Sequence, residues 1–223
     1  MQVLLSHDPV IVNSMKKSLS ASRFQRYLAD SDGNDGKALS LYQHNSRLCQ
    51  SLYIYTQAWE ICLRNKIDEF LRTKYGDRWF ENQGAIRNFK KHDRRSLDTT
   101  VSRQKRERNS TRLKADVVVA DLSAGFWVSQ LSVDYEAHYR WANGVGAIFP
   151  NDFSLDRQAA WEICDRSRRL RNRIAHHEPI YHFDLNAHYR DLQRITAAMC
   201  KGTFLFANQN CTFREVHDGW PAE

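Results

Sequence analysis

The stretch RLRNRIAHHEPIY, residues 169–181, gathers three arginines, an asparagine, two adjacent histidines and a glutamate ahead of a proline. These residue types suit phosphodiester cleavage in RNA. That reaction needs one group to take the 2′-hydroxyl proton, another to protonate the leaving oxygen, and a fixed positive charge beside the phosphorane-like transition state. Histidine titrates close to neutral pH and can perform either proton transfer, and guanidinium pairs with two phosphate oxygens at once. Neither a metal nor another cofactor is required. On a helix, residues four apart share a face, which sets Asn172 beneath His176 and Arg173 beneath His177, with Arg169 joining Asn172 and His176. Arg171 lies five residues before His176, off to the side unless the last turn tightens or unwinds. Asn172 could fix the imidazole tautomer or hold the phosphate.

Two plainer readings stand beside this one. Cations at a helix C-terminus complement its dipole, at about 0.3–1 kcal/mol each, in any protein. A zinc site is the weaker alternative: adjacent histidines point ~100° apart on a helix, and the chain has neither an HExxH pattern nor a CxxC pair.

Two further clusters could support the chemistry. In WEICLRN, residues 59–65, Glu60 and Arg64 stand at i, i+4, ordinarily a surface pair worth about 0.3–0.5 kcal/mol. Their flanking by Trp59 and Leu63 suggests partial burial, so they could brace a neighbouring helix or the site; Arg169 and Glu178 are further candidates for support. Residues 87–114 hold eleven Lys or Arg against three acids and show almost no apolar periodicity. Such a stretch reads as a solvated loop or as an RNA-contacting arm through Lys90, Lys91, Arg94, Arg95, Arg103, Lys105, Arg106 and Arg108. Phe89 is its lone aromatic, so contact would be to phosphate rather than by base stacking.

The elements that must position these residues are helical. Apolar residues recur at three and four rather than two, with nine glycines and four prolines in 223 residues. The pattern predicts a helix over about 13–29, a loop at 31–36, and a long helix over 37–75 stopped by Gly76. Helices resume over 115–142, with Val118, Leu122, Phe126, Trp127 and Leu131 facing the core and Trp141 closing the stretch before ANGVG. Ser154 reads as the N-cap of a helix that buries Leu155, Ala159, Ile163, Leu170 and Ile174 and that Pro179 must end. A final helix spans about 184–199, and the tail from Gly202 reads as irregular or a short hairpin. The expectation is a single all-α domain over 1–223, with its core at about 20–200.

A formal charge of +7 and a pI near 9.2 favour a polyanionic partner. Five cysteines without a CxxC pair encode neither a disulfide framework nor a cysteine zinc site, and a reducing cytoplasm fits best. The N-terminus lacks the sustained hydrophobic run of a signal peptide. The longest apolar neighbourhood, 117–131, carries Asp121 and falls short of a membrane span.

Taken in order, LSLYQHNSRLCQSLYIYTQAWEICLRNKIDEFLRTKYGDRWF, VVVADLSAGFWVSQL and RLRNRIAHHEPIY resemble the Abi-like (abortive infection) family of bacterial proteins within the HEPN superfamily. The resemblance runs from about residue 20 to 195. HEPN ribonucleases share an arginine and a histidine with four to six residues between them, commonly with a polar residue directly after the arginine. Arg171, Asn172 and His176 fit that pattern, and His177 fits it with one more intervening residue. The resemblance implies an α-helical HEPN-like bundle and metal-independent endoribonuclease activity. It further implies a composite site where two such helix ends meet across a homodimer, and a toxin role in phage defence restrained by a partner, in some relatives a small structured RNA. The first twelve residues and the tail from about 200 fall outside the resemblance. Two rival functions remain open: an RNA-binding module without cleavage, and an interaction protein whose Arg171 and His176 brace a dimer or are modified by a partner nucleotidyltransferase.

Overall fold

A computed structural model of the chain describes residues 8–141 and 145–219. The protein is all-α, with no strand among the described residues. It divides into two compact units, each assembled from separate stretches of chain. No helix among the described residues is long and apolar enough to cross a membrane.

The first unit comprises residues 1–53, 173–185 and 212–223. Its first helix, α1 (Pro9–Leu19), starts where Asp8 accepts hydrogen bonds from the amides of Val10 and Ile11, with Pro9 preset for the first turn. A second helix, α2, spans Ala21–Ala29. The single helix predicted over 13–29 is therefore two, divided at Ser20, whose φ of 68° no helix admits. Met15, Leu19, Phe24 and Tyr27 still line one apolar face, because both pieces pack on the same core with Val12, Ala38 and Leu39. The long helix α3 (Asp35–Tyr75) begins in this unit, and Gly76 at φ 87° stops it as predicted.

The second unit comprises residues 54–172 and 186–211. After the rest of α3 come a 3-10 turn at Trp79–Glu81 and the short α4 (Gln83–Ile86). The segment expected as a basic loop or arm is instead largely α5 (Lys91–Glu107), a regular helix. It buries Asp93, Leu97, Thr100 and Gln104, a spacing of four, three and four that is helical in period although only Leu97 is apolar. Three short helices follow, α6 (Ala115–Asp121), α7 (Ala124–Ser129) and α8 (Glu136–Tyr139). The predicted core face of Val118, Leu122, Phe126, Trp127 and Leu131 is buried, as is Trp141. The break predicted at ANGVG lies in part outside the described residues.

The helix carrying the motif is α9 (Arg157–Ala175). Its N-cap is Asp156, whose carboxylate accepts the Ala159 amide at 2.7 Å; Ser154, expected in that role, hydrogen-bonds Asp152 instead. The final predicted helix is α10 (Leu185–Met199). The tail is not irregular as expected: it forms α11 (Lys201–Asn210) and α12 (Phe213–Asp218), and Gly202 sits harmlessly in the first turn of α11. Within the second unit α11 is tied down where Asn208 Oδ1 accepts hydrogen bonds from Tyr55 and Gln193.

Candidate functional site

The last turn of α9 closes before the proline expected to stop it. The His177 amide donates to Ile174 O at 3.1 Å and the Glu178 amide to Arg173 O at 2.9 Å, while His177 itself has φ 57°. This pair of bonds is a Schellman closure, which satisfies carbonyls that a helix end leaves open. His176 is the capping residue and His177 occupies the left-handed position where glycine is usual. Both imidazoles are exposed. Beyond them, the Ile180 amide donates to buried Asn45 Oδ1 at 2.7 Å, and Tyr181 bonds Asp30, so the chain leaving the motif is anchored within the first unit.

Arg171 and Asn172 belong to the second unit, and Arg173–Leu185 to the first. Arg171 is held side-on by Glu60: Nε donates to Oε2 at 2.6 Å and Nη2 to Oε1 at 3.2 Å. Its Nη1 donates to Asn172 Oδ1 at 3.3 Å. Glu60 thus does not pair with Arg64 along α3, as the spacing suggested, and it braces α9 instead. Bidentate pairing fixes the guanidinium plane and leaves N–H groups on the terminal Nη1 and Nη2 for a further acceptor. Arg64 forms no ion pair among the described residues, and its buried Nε has no hydrogen-bond partner.

Arg169 is exposed and pairs with Asp165 at 2.7 Å, a helix-surface bridge shared with Arg168. Glu178 pairs with Arg173 at 3.1 Å, and the Arg173 guanidinium lies over the Phe183 ring at 4.9 Å. Sequence reasoning passed over two neighbours in the first unit, Arg26 and His182, which approach to 3.3 Å. Burial, then the charges of Arg26 and Arg173, push the His182 imidazole below its usual range. His182 follows the histidine pair closely in sequence, a signal that could have found it; nothing in the sequence marks Arg26.

On the basic helix and its two capping residues, Lys90 and Arg108, the eight predicted residues separate into two sets. Lys90 pairs with Asp134, Arg103 with Asp121 and Lys105 more loosely with Glu81, while Arg108 donates to Gln104. Lys91, Arg94, Arg95 and Arg106 are exposed and form no ion pair among the described residues. Phe89 is buried against Trp79 and Phe126, which removes it from stacking on a base. No group of three His, Cys, Asp or Glu side chains is placed to hold a metal ion among the described residues.

Comparison with known proteins finds no matching family model, no matching curated protein and no matching solved structure.

Proposed function

We propose that the chain is a metal-independent endoribonuclease of the Abi-like, HEPN type. The observation that carries this reading is the sequence of environments at the end of α9: an arginine oriented by a bidentate glutamate, an asparagine bonded to it, and exposed histidines at the helix closure. In the proposed reaction the 2′-oxygen of RNA attacks the adjacent phosphorus and the 5′-oxygen leaves. His176 handles one of the two protons, and the terminal N–H groups of Arg171 face the charge that builds on the phosphate. A second copy of the chain supplies the other histidine in a composite homodimeric site. In the cell the protein acts as a toxin of abortive-infection defence, restrained by a partner such as a small structured RNA.

The decisive experiment is cleavage of total RNA by the purified chain and by His176→Ala, with EDTA present throughout. Loss of cleavage and of toxicity in a variant that keeps its melting temperature supports the reading, and unchanged cleavage sinks it. The Glu60 bridge also favours a second reading, in which Arg171 braces the fold of an RNA-binding or interaction module without cleavage. That module binds RNA with a steep salt dependence and leaves it intact.

A further inference from the structure

Arg64 stands one helical turn after Glu60 on α3, where a glutamate and an arginine would ordinarily pair. That pairing is pre-empted, because both oxygens of Glu60 are taken by Arg171. The arginines that precede Arg171 on α9 are compensated: Arg157 by Glu136, Arg166 by Asp191, and Arg168 and Arg169 by Asp165. Arg64 has no such partner among the described residues, so Glu60, Arg64 and Arg171 together keep one positive charge uncompensated.

The surroundings raise the cost of that charge. Arg64 is only partly exposed, and its Nε–H is buried without an acceptor. An orphaned buried donor costs free energy, and more so on a charged group. Ser167, one turn before Arg171 on α9, repeats the pattern: it is buried and its hydroxyl has no hydrogen-bond partner. The two unsatisfied side chains thus flank the Glu60–Arg171 bridge in sequence, each a turn from one of its ends. Arg64 is thus short of an anion, and a planar guanidinium takes an oxygen pair of a phosphate, as of a carboxylate, through two parallel N–H bonds.

We infer that Arg64 binds a phosphodiester of RNA, as a second phosphate-binding arginine of the second unit besides Arg171. Glu60 then has two roles: it orients Arg171 and, by doing so, frees Arg64. The inference rests on the RNA-directed reading above for the polymer it names, but not on cleavage.

The test uses the full chain carrying His176→Ala, so that RNA survives, with Arg64 intact or replaced by methionine. A labelled short single-stranded RNA is titrated at several salt concentrations, and inorganic phosphate is titrated separately. Affinity falling at least about tenfold on Arg64→Met, with the slope of log K against log salt shallower by about 0.7, is the expected result. Equal affinity and slope overturn the inference, as does an Arg64-dependent response to inorganic phosphate with no change toward RNA. Should Arg64→Met fail to fold, Arg64→Lys keeps the charge and loses the fork, and it must still weaken RNA binding. Arg64-dependent binding by a chain whose wild type cleaves nothing leaves this inference standing and removes the nuclease reading.

Discussion

Arg171 and Glu60, separated by 111 residues, share two hydrogen bonds that join α9 to α3. The pair is partly buried, with side-chain exposures of 36% and 19%. A double-mutant cycle of Glu60→Gln and Arg171→Gln is expected to give a coupling of about 1–2 kcal/mol in urea unfolding, above the usual value for an exposed pair. A coupling near zero would mean that the bridge does not orient Arg171.

His177 holds a backbone conformation that suits glycine. His177→Gly is therefore expected to raise stability by about 0.5–1 kcal/mol, read as a higher urea midpoint at unchanged m-value. His177→Val should lower it. Cleavage retained in the glycine variant assigns the proton transfer to His176, and cleavage lost assigns a part of it to His177.

The basic helix is anchored from beneath. Asp93 is buried and accepts hydrogen bonds from Ser129 at 2.7 Å and Tyr135 at 2.5 Å, while Tyr135 Oη accepts the Lys90 amide. Burial and the Asp93 carboxylate push the Tyr135 phenol well above its ordinary range, so it stays a donor. Tyr135→Phe leaves the Lys90 amide without its acceptor and should cost about 1–3 kcal/mol. Hydrogen exchange at the first turn of α5 should accelerate more than elsewhere.

Acid should weaken the fold through His44. Burial, reinforced by His217 and Arg47, lowers its pKa from 6.5 to about 4. Between those values the unfolded chain binds a proton that the native protein refuses, so stability is fully present above pH 6.5 and declines as pH falls toward 4. The urea midpoint should follow that slope in the wild type, and His44→Gln should flatten it.

RNA affinity should depend on only part of the basic helix. Replacing Arg94, Arg95 and Arg106 by glutamine is expected to weaken binding uniformly across sequences, with the salt slope shallower by about 0.7 for each phosphate no longer neutralised. Arg103→Gln should mainly cost stability, because Arg103 already pairs with Asp121.

The helices with apolar stripes are legible in the sequence, and those whose buried face is polar are not. Leu41, Leu48, Leu52 and Trp59 announce α3, and Leu185, Tyr189 and Leu192 announce α10, because burial selects apolar side chains at three and four. On α5 the buried set is Asp93, Leu97, Thr100 and Gln104, and hydrogen bonds hold the helix where apolar packing holds the others. The Ser20 break has no glycine or proline to mark it. At the site, the motif on α9 and the candidacy of Glu60 follow from residue type and spacing. The choice of Arg171 over Arg64 as the partner of Glu60 does not, since local spacing favours the nearer arginine and tertiary packing decides for the distant one.

The way the first unit is pieced together bears on how the chain is made. Residues 1–53 complete their unit only with 173–185 and 212–223. At a synthesis rate of about 5–20 residues per second, the N-terminal helices wait some 6–24 s on the ribosome for the turn that carries His176 and His177. Asn45 receives the Ile180 amide, and Asp30 the Tyr181 hydroxyl, only after that delay. The segment that ends in Ile180 and Tyr181 is therefore also a late latch, and a chain truncated before residue 173 loses the histidines and the means of finishing its first unit together.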